Sequence, residues 1–392
     1  MTLGVVATVL SGCSLFATPR PAKAVDPSLA PAVAVGYVVC PNAVTPVELS
    51  TGTAEANITL PISGTPVLGD FSIATSPDGQ WAYVVTSEGV VAPPSASSTS
   101  VPPATTGSAT PGGTSPRSSG SGTVQNVVIP IDLVTQQAER PIMIPGAGGT
   151  HAIVVMSDGR TVLAASGSSI VPIDAATRHV GTPLDLGAGR TIFGMALDPV
   201  NATLFVLVPG AVIPVDTTNA TAGALIPTGL SVSSVYSPHG IAVTANGATV
   251  YIVGQGGTDF GGRILPIAAS TGATGTATGF DRFGIADPAA VAVTADGTTL
   301  LVADAANNWV NQVPVGSFTN PPAPVRLPQP SAASTATGTQ HPTDIVLGPG
   351  QTGAFLVDGF DSVIPYSPGA QTFGSPIPVC EGASSMAVSN PP

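Results

Sequence analysis

Lysine occurs once in this chain of 392 residues, at Lys23, and charged residues make up only 8% of it. The formal charge is −12. A surface this poor in cations repels phosphate backbones, which excludes nucleic acid as a partner class. Aromatic residues are equally scarce at 5%, whereas there are 46 glycines and 41 prolines. Glycine and proline at that density break long helices and punctuate many short strands. No apolar run reaches the roughly 20 residues that a membrane-spanning helix needs. Cysteine is nearly absent, with Cys13, Cys40 and Cys380 the three copies, so each position carries information.

Internal repetition is abundant. The stretches HAIVVMSDGRTVLAAS from His151, HGIAVTANGATVYIVG from His239 and AAVAVTADGTTLLVAD from Ala289 follow one plan. Each is an apolar alternation, a turn ending in glycine, and a second alternation, which predicts a β-hairpin closed by a two-residue Asp-Gly or Asn-Gly turn. Gly79, Gly159, Gly247 and Gly297 mark these turns, and weaker copies begin at Phe71, Phe193 and Thr343. After each hairpin comes a third apolar run with a proline, in seven copies: AVTPVEL, VVIPIDL, SIVPIDA, AVIPVDT, RILPIAA, NQVPVGS and SVIPYSP. A short fourth run follows. Four strands per unit of about 40–50 residues is the pattern of a β-propeller blade.

The two ends complete this reading. The first unit, AVAVGYVV, lacks the strand that should precede it, and the C-terminal SSMAVSN is such a strand without its hairpin partner. The expected fold is all-β: a seven-bladed β-propeller of four-stranded antiparallel blades, its ring closed by a blade shared between the termini. Cys40 ends the second strand of that blade and Cys380 precedes its first, so the pair is expected to form a disulfide across the seam. For a loop of that length the chain-entropy model gives about 4–5 kcal/mol of stabilisation. A closed ring leaves only short, protected edges, which predicts a monomer.

The motif P-x-G-I-A-V-T-x-(D/N)-G followed by V-Y-I-V and V-x-P-I-D, carried by Pro238–Val253 and Pro288–Ala303, resembles the YVTN-type bacterial propeller repeats. Strand two reads YVVT, YIVG and LVAD, never the full tetrapeptide. Leu10-Ser11-Gly12-Cys13 resembles a bacterial lipoprotein lipobox of actinobacterial type, although no Lys or Arg precedes the apolar run. That resemblance implies a signal peptide at 1–12, a lipid on Cys13 and a flexible tether at 13–32. The propeller then spans 33–392. The chain is accordingly expected to be exported, as a cell-membrane lipoprotein facing the extracytoplasmic side. Between strands two and three of the second blade, residues 92–123 are a Ser/Thr/Pro/Gly insertion that cannot bury a core, read as a disordered loop. It is either glycosylated or an inert linker.

Propeller ligands bind at the channel mouth, on the loops that enter the innermost strands. Aligning the repeats puts Phe71, His151, Phe193, His239, Ala289, Thr343 and Ser384 at one equivalent position, with His341 two residues ahead of it in its own blade. His151, His239 and His341 thus gather at one rim, with Asp344, Asp287, Asp281 and Asp70 as the nearby carboxylates; His179 falls in an outer turn. Histidine there is either a metal ligand or acid/base, or a structural residue. Asn307, Asn308 and Trp309, in the loop after Asp304, suit contact with a glycan or peptide, or packing between blades. Asp358 and Asp361 hint weakly at a cation site, and no cofactor motif is present. Two functions remain open: a non-enzymatic binding or scaffold protein for an envelope protein or glycan, or a lactonase-like or other hydrolase with its site at the mouth.

Overall fold

The computed structural model describes residues 34–62, 65–66, 71–90, 123–146, 149, 152–231, 240–256, 261–279, 286–316, 323–328, 341–348, 350 and 353–389. Cys13, the signal and tether segments, His151, His239 and residues 91–122 lie outside them. The described residues form strands and turns with no α-helix, arranged as seven antiparallel sheets.

Each sheet is one blade, and three strands per blade carry its body. Blade 1 joins Ser385–Ser389 to Val35–Cys40 and Ala43–Glu48. Blade 2 runs Ser72–Thr75, Trp81–Val90, Thr123–Asp132. Blade 3 runs Ile153–Val155, Thr161–Ser166, Ser169–Asp174. Blade 4 runs Gly194–Leu197, Thr203–Val208, Ala211–Asp216. Blade 5 runs Ile241–Val243, Thr249–Gly256, Gly262–Ala268. Blade 6 runs Pro288–Val293, Thr299–Asp304, Trp309–Pro314. Blade 7 runs Asp344–Leu347, Ala354–Val357, Ser362–Ser367. Short fourth strands such as Leu184–Asp185 lie outermost. The first strands of successive blades neighbour one another in a closed cycle, which makes the ring.

The second strand of each blade is covered on both faces by neighbouring blades, and this is why it is apolar throughout rather than alternating. Val162 to Ser166 are all buried. The packing divides into seven apolar clusters, most of them bridging two blades.

Register explains the repeated proline. Tyr37 stands opposite Pro46, Tyr83 opposite Pro130, Phe205 opposite Pro214 and Tyr251 opposite Pro266. The carbonyls of Pro46 and Pro130 accept bonds from Glu55 and Glu139, on the fourth-strand side. In an antiparallel strand N–H and C=O of a residue point the same way, so the missing proline donor faces the short outer strand and no inner ladder bond is lost. Blade 6 departs from the sequence alignment. Its proline, Pro314, pairs with Thr299, and Gln312 takes the usual proline position opposite Leu301. The matched string NQVPVGS is therefore two residues out of register with its siblings.

The hairpin turns also differ from expectation. In blades 2, 3, 5 and 6 they are four-residue loops built on a type I turn, with glycine left-handed, rather than two-residue turns. In blade 2, Ser76 N bonds Trp81 O and Gly79 N bonds Ser76 O. Trp81 N donates to Ser76 Oγ at 2.9 Å, and Ser76 Oγ donates to Asp78 Oδ1 at 2.5 Å. Thr244 and Asn246 repeat this in blade 5, and Thr294 and Asp296 in blade 6.

The ring closes as the ends predict. Val35–Cys40 pairs with Ser385–Ser389, Val35 opposite Ser389 and Val39 opposite Ser385. The Cys40 and Cys380 sulfurs are bonded, with Cα atoms 6.0 Å apart across 340 residues of sequence. Residues 91–122 join the paired ends Val90 and Thr123, and Thr123 itself opens a strand rather than closing the insertion.

Candidate ligand site at the channel mouth

Seven first strands put seven equivalent side chains around the axis: Ile73, Ile153, Met195, Ile241, Val291, Ile345 and Met386, each opposite the same position of its second strand. All are 8% exposed or less. Together with Ser72, Ala152, Asp344 and Val346 they line a cavity of about 160 Å³. This apolar collar narrows the channel, and polar groups collect at the end where the first strands begin.

The polar groups are unevenly spread. Asp287 and His341 hold equivalent places just before the first strands of blades 6 and 7. The second strand of blade 6 ends in Asp304, and the matching place in blade 7 is Asp358; blades 1, 3 and 4 carry Cys40, Ser166 and Val208 there. Asp304 is fully buried. Its carboxylate accepts from Asp287 N at 3.2 Å, Ala286 N at 3.3 Å, Ala306 N at 3.1 Å and Asn307 Nδ2 at 2.7 Å. It thereby fixes both the entry to the first strand and the loop to the third.

Asp358 is fully buried as well. It accepts from Phe360 N at 2.9 Å, Ser362 N at 3.0 Å and Ser362 Oγ at 2.5 Å. Asp358 of the VDGFDS run thus caps its own turn. Gly359, at φ 73°, passes so close to the His341 carbonyl that a side chain has no room. His341 N in turn donates to Asp358 O at 3.1 Å. Asp344, 1% exposed, accepts from Met386 N at 2.9 Å and Ser385 Oγ at 3.2 Å. That ties blade 7 to the C-terminal strand of blade 1.

Asp287 is different. It is half-buried and takes one side-chain bond, from Gln255 Nε2 of blade 5 at 3.3 Å. Burial, and then the Asp304 carboxylate, push its pKa up, while the Gln255 bond and the His341 charge work against the shift. It is the mouth carboxylate best placed to meet a ligand.

Of the sequence-derived candidates, the structure brings His341, Asp344 and Asn307 to this face with Asp287 and Asp304. Trp309 opens the third strand opposite Asp304. Asn308 adopts a left-handed conformation at φ 57° and has a buried Oδ1 without a partner. His179 lies in an exposed outer turn. Gln255 and Asn311 were not singled out from sequence. Asn311 was detectable as a polar residue in a strand position that is mostly apolar elsewhere; Gln255 gives no such signal. Among the described residues no three or more His, Cys, Asp or Glu side chains are arranged to hold a metal ion.

No family model and no curated protein sequence matches the chain. Solved structures do share its fold. Hydrazine synthase of Kuenenia stuttgartiensis aligns at TM-score 0.59 and 16% identity, over 83% of this chain and 90% of that one. A candidate 6-phosphogluconolactonase of Bacteroides uniformis aligns at TM-score 0.60 and 13% identity, over 91% and 99%. The periplasmic gluconolactonase of Pseudomonas aeruginosa aligns at TM-score 0.59 and 13% identity, over 92% and 100%. At these identities the likeness is one of fold: the chain is a seven-bladed β-propeller.

Proposed function

We propose that this propeller is an exported, lipid-anchored protein that binds an envelope protein or glycan at the mouth on blades 5–7 without catalysing a reaction. One observation carries the reading. The buried mouth carboxylates Asp304, Asp344 and Asp358 each accept two or more donors from the frame around them. A carboxylate engaged in that way is held in place as structure, and a general base needs a free lone pair facing substrate. The Cys40–Cys380 bond supports an oxidising compartment. Lipid on Cys13 would supply the anchor. The test is detergent phase partition of the protein from its native envelope, with cross-linking and mass spectrometry of what co-purifies. The expected result is a detergent-phase protein that Cys13→Ala moves to the aqueous phase, with a reproducible envelope partner. An aqueous, unmodified protein without a partner sinks the proposal.

A second reading is a lactone hydrolase, favoured by Asp287, whose raised pKa and position beside His341 suit acid–base work. Its neighbours in fold include gluconolactonases. Acid release from glucono-δ-lactone by the purified chain, abolished by Asp287→Asn, would establish it; no release above the spontaneous rate rejects it.

A further inference from the structure

The inner edge of the ring is backbone, and its phase can be read blade by blade. In blade 3, Ala165 N donates to Ala152 O and Met156 N donates to Thr161 O. Residues of an antiparallel pair alternate between turning N–H and C=O to the partner strand and turning both away. Ile153, next to the bonded Ala152, therefore turns its N–H and C=O to the channel axis. Bonds donated by Ser76, Asp198, Thr244, Thr294 and Gly348 set the same phase in blades 2, 4, 5, 6 and 7. The collar side chains pack away into the seven apolar clusters, one in each. Each collar residue thus leaves one donor and one acceptor facing the axis.

Blade 7 shows what such a donor takes. Ile345 N donates to Asp344 Oδ1 at 2.8 Å, and Met386 N of blade 1 donates to Asp344 Oδ2 at 2.9 Å. One carboxylate bridges the collar N–H groups of two adjacent blades. At its position the other blades carry Ser72, Ala152, Gly194, Gly240, Ala290 and Ser385, none long enough to bridge in this way. The N–H groups of Ile73, Ile153, Met195, Ile241 and Val291 open instead onto the cavity of about 160 Å³.

Charge and size select among ligands. Asp344 is the one charged residue among those lining the cavity, and Asp287, Asp304 and Asp358 stand at the mouth above it. An anion is repelled on entry. A cation gains the collar carbonyls but faces the N–H hydrogens at the same level. A hydroxyl satisfies both, accepting from N–H and donating to C=O. Two hydroxyls on adjacent carbons imitate the paired oxygens of Asp344 without its charge. The volume is close to that of a cavity that encloses one benzene, which limits the ligand to about six non-hydrogen atoms.

We propose that the channel cavity binds the vicinal diol of a small neutral polyol, glycerol being of the size that fits. The site lies below the mouth and stands or falls independently of any envelope partner there.

Glycerol titration of the full, amide-labelled chain by NMR tests it, with propane-1,3-diol and acetate as controls. Amide shifts of the five open collar residues should saturate with glycerol, those of Ile345 and Met386 should stay, and neither control should reproduce the response. Ala152→Asp, which copies blade 7, should weaken glycerol binding at least tenfold by setting a carboxylate over the Ile153 and Met195 amides. Asp344→Ala removes the charge and opens two more N–H groups, so acetate should now shift the collar amides. No saturable shift with glycerol overturns the inference, and so does an equal response to propane-1,3-diol. Undiminished binding in a folded Ala152→Asp variant, or acetate still excluded from Asp344→Ala, overturns it too.

Discussion

The two faces of the ring follow different rules. On the face of the hairpin turns, blades 2, 5 and 6 repeat one device: a Ser or Thr hydroxyl caps the loop, an Asp or Asn two residues on caps the hydroxyl, and glycine takes the left-handed position. On the mouth face a device recurs only between blades 6 and 7, where Asp304 and Asp358 each accept from the backbone N–H two residues on. The place at the end of the second strand holds Cys40 in the seam blade, Ser166 in blade 3, Val208 in blade 4 and Asp304 in blade 6. Folding constrains the first face, since each turn must reverse the chain within four residues. The second face is held by ring closure itself, and its side chains are free to diverge.

The largest expected effect lies at the seam on the mouth face. Replacing Cys40 and Cys380 with alanine should cost about 5 kcal/mol by the chain-entropy model, read as a fall in unfolding midpoint that a reductant reproduces in the parent protein. An unchanged midpoint would mean that strand pairing alone holds the ring. Next comes Asp304→Ala, which strands the Ala286, Asp287 and Ala306 donors; a loss of about 3 kcal/mol is expected in denaturant melts. The same change at the turn carboxylate Asp296, which is exposed, should cost about 1 kcal/mol or less. If the two losses prove equal, the contrast between the faces fails.

Within the turn face, two glycines sharpen the point. Gly247 and Gly297 have φ of 66° and 69°. A side chain at Gly247 would collide with the Asp198 carboxylate of blade 4, whereas Gly297 faces open space. Gly297→Ala should cost about 1 kcal/mol for the left-handed backbone alone, and Gly247→Ala roughly twice that, measured by thermal unfolding.

The smallest effect concerns pH. Asp287 has a folded pKa raised above its unfolded value, so its protonated form favours the folded state. Stability contributed this way is full below the ordinary carboxylate range and declines as pH rises through the raised value. Asp287→Asn should therefore remove part of the loss of stability seen on that rise, and the difference between the two melting-versus-pH curves checks it. Because the group is half-exposed, solvent screens the effect to well under 1 kcal/mol.

Much of this architecture was legible residue by residue. The apolar strand runs such as AVAVGYVV, the glycine after Asp or Asn, and the orphan strand SSMAV each rest on local chemistry, and the pairing of Cys40 with Cys380 followed from where those strands had to meet. Other features were not. The slipped proline of blade 6 shows only in the register of its third strand. Arg178, lying 4.1 Å from the Trp81 ring and bonded to Tyr83 Oη at 2.9 Å, rivets blade 3 to blade 2 from an outer turn that gives no sequence signal.

The sequence by itself determined the unit, its count and its closure, because turns and strands are set by neighbours a few residues away and the same short apolar runs bounded by turn residues repeat in every blade. Only the tertiary structure decided which carboxylates at the mouth are frame and which is free. Asp304 and Asp358 look alike in sequence to Asp287, but their exposure and partners come from segments brought together when seven blades close, and no local pattern encodes that distance.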